Sequence, residues 1–211
     1  MLGAVALAGG GADARPSAAV QTPARAESFD ELYLRGQRAN AAIKTLTARF
    51  TETTTSSLLT RPLVARGTLA VVRPSRIVLR YVEPDARIVL IDGNRMTTSW
   101  PSRKSRQVTD IGATQGRIQK YFVNGSIEDL RREFEIAEYG AGDRRGASHV
   151  SLVPKRKQIR ESLARLDLWV NQPSLLLESL QITFANGDVK EMAFEDVVPN
   201  ASIDPGAFIV D

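Results

Sequence analysis

The chain has 211 residues, of which 43% are apolar and 25% charged, and a formal net charge of +4. That balance belongs to a single globular domain with a sizeable core, and it excludes wholesale disorder, collagen-like repetition and a polytopic membrane protein. There is no cysteine, which excludes disulfide frameworks, zinc knuckles, thiol catalysis and lipid attachment through an N-terminal Cys.

Residues 1 to 12, MLGAVALAGGGA, form an apolar run too short to span a bilayer, followed by the small-residue step Ala12-Asp13-Ala14. This reads as a secretory h-region with an A-x-A cleavage site, so residues 1 to 14 are expected to be a signal peptide, although no basic residue precedes the apolar run. Residues 15 to 27, rich in Pro, Ala and polar side chains, read as a flexible linker, and the folded domain is expected over 28 to 211. It opens with a capping box, Ser28 and Glu31, before Phe29, Leu32, Gly36, Ala39 and Ile43 at helical spacing, which predicts a helix over 29 to 43.

From Lys44 the period becomes two: Leu46, Ala48 and Phe50 alternate with Thr45, Thr47, Arg49 and Thr51, a strand pattern rich in β-favouring Thr. Further strands are expected at Leu63 to Val72, Arg76 to Val82, Ala86 to Ile91, Arg95 to Trp100 and Arg106 to Thr109, with joints at Arg73-Pro74-Ser75, Glu83-Pro84-Asp85 and Asp92-Gly93-Asn94. Such turn-formers join antiparallel neighbours. The pattern breaks between Gly112 and Arg132, where Ile118 and Phe122 lie four apart and Ser126 with Asp129 can cap a second turn, so two short helices are expected. Strands resume at Glu133 to Tyr139, Ala147 to Val153, Leu163 to Val170, Leu175 to Ala185 and Asp188 to Val197; Asn186-Gly187 is a strong hairpin signal, and Ile203, Phe208 and Ile209 are expected to tuck against the sheet. About ten strands, one N-terminal helix and one helical insertion predict a mainly β fold, a strongly curved antiparallel barrel left unclosed and covered by a helical lid.

Such a sheet encloses a pocket on its inner face. Alternation and helical spacing place Leu69, Val71, Ile77, Leu79, Tyr81 and Trp100 from the sheet, with Ile118 and Phe122 from the insertion, as its lining. An ordinary filled core would use the same residues, and periodicity alone does not separate the two.

The order of parts resembles a known family. Phe50 with Glu52 on the first strand, the strand end Gly67-Thr68-Leu69-Ala70-Val71-Val72-Arg73-Pro74, Ile77 to Tyr81, Pro84, Asp92-Gly93, Asn186-Gly187, Asn200 and Phe208 together resemble the periplasmic lipoprotein carriers of the LolA type. Ala70, Ile77, Leu79 and Thr97 stand where that family often carries aromatics. The resemblance implies an unclosed β-barrel with a helical lid, a periplasmic location, and a job of shielding lipoprotein acyl chains, or those of another acylated lipid, between inner and outer membranes. It implies an inner-membrane lipoprotein-releasing transporter and an outer-membrane receptor as partners, with the carrier itself a monomer. It assigns to Arg73 the role of lid latch, hydrogen-bonding lid backbone to hold the empty cavity shut. Leu69 and Val71 share a face with Arg73, so on an apolar face that guanidinium would need carbonyl partners, which helix C-termini can supply. A second reading is an envelope lipid-sensing or assembly protein of the same fold acting through protein contacts; stoichiometric copurified lipid would favour the carrier.

Catalytic constellations are missing from the sequence. His149 is the sole histidine and reads as a surface or edge-strand residue, and no G-x-S-x-G elbow, Walker A loop, strand-linked G-x-G-x-x-G or H-E-x-x-H occurs. The acidic pairs Glu133 with Glu135 and Glu195 with Asp196 read as solvated. No enzyme activity, metal or cofactor is expected. Nor is a nucleic acid partner, because the basic clusters Arg103-Lys104-Ser105-Arg106 and Lys155-Arg156-Lys157 lack interleaved aromatics. Mass spectrometry of the exported chain is expected to find an N-terminus at Arg15; an intact Met1 on the exported protein would exclude cleavage there.

Overall fold

The computed structural model describes residues 27–112 and 126–210. The signal and linker assignments, and the expected helix carrying Ile118 and Phe122, lie outside the described residues apart from Glu27, whose carboxylate pairs with Arg35 at 2.8 Å.

Helix α1, Phe29–Asn40, starts where the capping box places it: Ser28 accepts from the Glu31 amide, and the Glu31 carboxylate accepts from the Ser28 amide at 2.7 Å. It stops three residues before the expected end, and the chain then turns into β1, Thr45–Thr55. Strands β2, Leu63–Val72, β3, Arg76–Glu83, β4, Arg87–Asp92, β5, Arg95–Trp100, and β6, Ser105–Asp110, follow as a meander. Helix α2, Ile127–Glu133, has its own capping box from Ser126 and Asp129. A second meander follows: β7, Phe134–Ala141, β8, Ala147–Pro154, β9, Leu163–Asn171, β10, Leu177–Phe184, and β11, Val189–Pro199. A one-turn helix α3, Lys157–Arg160, which the periodicity did not reveal, bridges β8 and β9.

The eleven strands form one antiparallel sheet in the order β6-β5-β4-β3-β2-β1-β11-β10-β9-β8-β7. The first and last strands thus meet in the middle, and β6 and β7 end the sheet without pairing to each other. The result is a strongly curved, unclosed barrel with helices over its inner face, the fold class expected from the sequence.

Register fixes which side chains share that face. Val150, Leu168, Leu180, Met192, Glu52 and Ala65 form one rung across six strands, and Phe194, Phe50, Gly67, Tyr81 and Arg87 form the next. Two apolar clusters divide the face. Under the helices, Phe29 and Leu32 of α1 and Ile127 and Leu130 of α2 pack with Phe134, Val150 and Leu152. Nearer the first meander, Phe50, Ala65 and Tyr81 gather Leu69, Leu79, Val89, Met192 and Phe194. On the outer face the C-terminal tail buries Phe208 under the Arg76 guanidinium, 4.5 Å from the ring centroid, and Arg80 donates to the carbonyls of Ala207 and Ile209. Ile209, expected to be tucked in, is 63% exposed, because its carbonyl rather than its side chain faces the sheet.

Gly67 is the hinge of the second cluster. The Phe50 and Tyr81 rings meet edge to face at 4.9 Å beside it, and a Cβ at this position would lie 2.2 Å from the Arg80 carbonyl oxygen and 2.8 Å from Phe50 Cζ. Since a fixed backbone oxygen cannot yield as a flexible side chain would, Gly67→Ala is expected to cost about 2 to 3 kcal/mol in a denaturant melt. An unchanged midpoint would show that β3 can shift to admit the methyl group.

Candidate functional site

An apolar opening of the inner face lies beneath α1. A cavity of about 540 Å³ is bounded by Phe29, Leu32 and Tyr33 of the helix, by Val150, Leu152 and Leu168 of the sheet, and by Leu175, with Arg73 and Pro74 at its rim. Its size falls within the range of small-ligand pockets. Gly36 also faces it, and a Cβ there would meet nothing within 4 Å, so the space opposite the middle of the helix is left unfilled.

The C-terminal end of α1 is tied down from three directions. Arg73 Nη1 donates to the Asn40 carbonyl at 3.0 Å, Asn40 Nδ2 donates to the Leu175 carbonyl at 3.0 Å, and the Lys44 amide donates to Asn200 Oδ1 at 2.9 Å. The terminal carbonyls of a helix lack intrahelical donors and carry its negative dipole end, so a guanidinium is well suited to hold them. The Arg73 backbone is itself anchored, its amide donating to the Lys44 carbonyl at 2.9 Å. Asn200 takes a left-handed conformation, φ 55°, and its amide donates to the Thr45 carbonyl at 2.8 Å.

The residues singled out from sequence are therefore split. Arg73 borders the cavity under α1, whereas Leu69, Leu79 and Tyr81 belong to the second cluster, and Val71 and Ile77, paired across β2 and β3, continue that face toward Arg73. Trp100 is half-buried at the end of β5, four strands from β1. Val150, Leu152, Leu168 and Val170, which line the cavity, come from the second meander; their alternation was legible, but only the sheet order brings them beneath α1.

Tyr81 is more polar in its surroundings than a pocket-lining residue would be. Its hydroxyl donates to Glu52 at 2.8 Å, Glu52 also meets Lys190 at 3.3 Å and Arg87 at 3.6 Å, and the Arg87 guanidinium lies 3.7 Å from the centroid of the Tyr81 ring. Burial, reinforced by the Glu52 charge, pushes the Tyr81 hydroxyl up to about 12.

Two polar readings need correction. His149 lies on β8, inside the sheet rather than at its edge, stacked on Trp169 at 4.8 Å with Nε2 3.0 Å from the buried Asp167. Glu133 is buried at 1% exposure and pairs with Arg156 at 2.5 Å, a partner 23 positions along the chain that only the fold brings near. Glu195 and Asp196 are exposed and pair with Arg49, as solvated residues do. Among the described residues no helix is long and apolar enough to cross a membrane.

An unclosed antiparallel sheet under a helical cover, with an apolar cavity between them, can be compared as a whole with known proteins. Residues 41–211 match the family described as "Outer membrane lipoprotein carrier protein LolA", and the chain belongs to that family, whose members are carriers and not enzymes. It is 23% identical over 155 residues to the outer-membrane lipoprotein carrier protein of Pseudomonas entomophila (strain L48), covering 74% of this chain and 66% of that one. With the protein of the same name from Dechloromonas aromatica (strain RCB) it shares 24% over 153 residues, 72% of this chain and 64% of the other. The match thus spans just under two thirds of either relative. In fold the chain is similar to an uncharacterized conserved protein from Thermus thermophilus, with a TM-score of 0.51, 8% identity, and coverage of 86% of this chain and 93% of that one.

The raised Tyr81 hydroxyl has a pH signature. Its folded value, about 12, exceeds the ordinary 10, so the stabilisation it confers is fully present below pH 10 and is lost as pH rises through about 12. Tyrosinate absorbance is expected to show a late component near pH 12 that Tyr81→Phe removes; a titration unchanged by that substitution would contradict the buried Tyr81–Glu52 bond.

Proposed function

We propose that this chain is a periplasmic carrier that shelters the acyl chains of lipoproteins, or of a related acylated lipid, beneath α1, with Arg73 as the latch of its closed form. The observation that carries the reading is the apolar cavity whose covering helix is held at its C-terminal end by the bond from Arg73 to the Asn40 carbonyl. Leu69, Val71, Ile77 and Leu79 extend the same face beyond Arg73 and offer further apolar surface to a long chain.

The energetics define what such a carrier must do. A buried methylene is worth about 0.8 kcal/mol, so a chain of about sixteen carbons costs on the order of 12 kcal/mol to expose to water. A cover is therefore needed for an aqueous crossing. It must also release, so the loaded form has to be weaker than full membrane insertion, and a single charge-assisted bond on a helix end gives a closed state that is easily exchanged. The carrier takes cargo from an inner-membrane releasing transporter and passes it to an outer-membrane receptor, acting as a monomer.

Arg73→Leu leaves the Asn40 carbonyl without its side-chain donor and adds apolar surface at the rim. That variant is expected to load acylated cargo normally and hand it over poorly, with Arg73→Lys, a donor without the planar fork, between the two. Transfer between purified donor and acceptor membranes decides this: unchanged handover by a normally loaded Arg73→Leu eliminates the latch. Leu168→Glu, which places a carboxylate in the cavity wall, is expected to weaken acyl binding about tenfold or more, as is Leu79→Glu on its continuation. Retained binding by folded variants would move the cargo elsewhere on the molecule.

A further inference from the structure

Antiparallel order sends alternate connections to opposite ends of the sheet. One end carries the α1 terminus and Arg73; the other gathers the connections 56–62, 84–86, 101–104, 155–162 and 185–188. That second end is unusual in two independent ways.

First, it exposes apolar side chains. Leu58 at the β1–β2 tip is 90% exposed, with Leu59 at 42%, Leu63 at 48%, Val64 at 40%, and Val82 at the end of β3 at 64%. Five of the nine large hydrophobics exposed among the described residues therefore lie at this one end. The tip is shaped rather than loose: Leu58 and Leu59 donate their amides to the Ser56 hydroxyl and carbonyl, at 3.2 and 3.0 Å. Exposed apolar side chains gathered at one place, unlike ones scattered singly, mark a surface that meets a protein or a membrane.

Second, the same end collects basic charge. Its five connections hold seven basic side chains, Arg61, Arg103, Lys104, Lys155, Arg156, Lys157 and Arg160, against the acids Asp85, Glu161 and Asp188. Some of this charge is engaged, Arg103 with Asp85 and Arg156 with Glu133. Arg61, Lys104, Lys157 and Arg160 are exposed. The connection bearing Lys104 leaves β5 and the one bearing Lys157 enters β9, each of these strands three from the β1–β2 hairpin, or about 14 Å to either side at the usual strand spacing. An apolar wedge flanked symmetrically by cations matches an acyl region beneath a layer of anionic headgroups.

We propose that this end of the sheet docks reversibly on an anionic phospholipid surface, the Leu58-Leu59 tip entering the interface and the flanking Lys and Arg side chains meeting the headgroup phosphates. Charge complementarity selects a bilayer over a protein groove, since Arg61 stands beside the leucines of the tip and Lys104 and Lys157 stand on either side of it, a spread of cations that an extended anionic surface can meet at once. The proposal goes beyond the cargo reading and is tested on cargo-free protein, so either can fail alone.

The absence of cysteine makes Leu58→Cys a unique attachment point for a polarity-sensitive fluorophore, with Ser202→Cys, exposed beyond β11 at the opposite end, as the reference. With vesicles of mixed phosphatidylethanolamine and phosphatidylglycerol, the label at 58 is expected to shift to an apolar environment and the label at 202 to stay in water. Cosedimentation of the unlabelled chain is expected to weaken about tenfold or more in Leu58→Glu/Leu59→Glu. Lys104→Ser/Lys157→Ser is expected to lose on the order of tenfold, with no loss toward phosphatidylcholine alone. Equal binding by the Leu58→Glu/Leu59→Glu variant, equal shifts at both labels, or no preference for phosphatidylglycerol would overturn the proposal. So would a label at 58 that is silent on lipid vesicles and shifts only on protein-containing membranes, which would give the tip to a protein partner.

Discussion

An apolar inner face that the sheet cannot bury against itself is the constraint from which the rest of this molecule follows. A closed barrel of about eight strands fills its interior with its own side chains. Here eleven strands curve without closing, so the rung from Val150 to Ala65 needs a cover from outside the sheet. Helices α1 and α2 supply part of it, burying Phe29, Leu32, Ile127 and Leu130. Helix α1 covers the face unevenly, because Gly36 contributes no side chain where the cavity lies.

The two halves of the inner face meet that constraint differently. The first meander packs aromatics edge to face beside Gly67 and holds the buried Glu52 network, whose Lys190 and Arg87 partners offset the cost of a carboxylate in an apolar setting. The second meander presents aliphatic side chains to α1 and leaves space between. The first half is the more closely packed of the two, and the second keeps an open apolar cavity beneath α1.

The polar ties are concentrated in the same way. Arg73, Asn40 and Asn200 all act within a few residues of the joint between α1 and β1, so the cover is fastened at one end by hydrogen bonds rather than by a continuous apolar seam. Directional bonds of this kind can be exchanged without unpacking a core, whereas the apolar packing of Phe29 and Leu32 fixes where the helix sits.

The sequence by itself determined the elements and their spacing. The two capping boxes, the alternation of Leu46, Ala48 and Phe50, the joints at Pro74, Pro84 and Gly93, and the Asn186-Gly187 hairpin are encoded within a few residues, because caps, turns and strand periodicity are local. The order of parts around Gly67 to Pro74 was equally local and carried the family. Tertiary structure alone decided what lies opposite what. That β1 pairs with β11 brings Val150 and Leu168 beneath α1 and leaves Leu79 and Tyr81 in the other half; that Arg156 folds back makes Glu133 a buried partner; that β7 takes the edge puts His149 inside the sheet. Each of these turns on chain segments distant in sequence meeting in space, and periodicity reports which face a side chain takes without reporting what stands across from it.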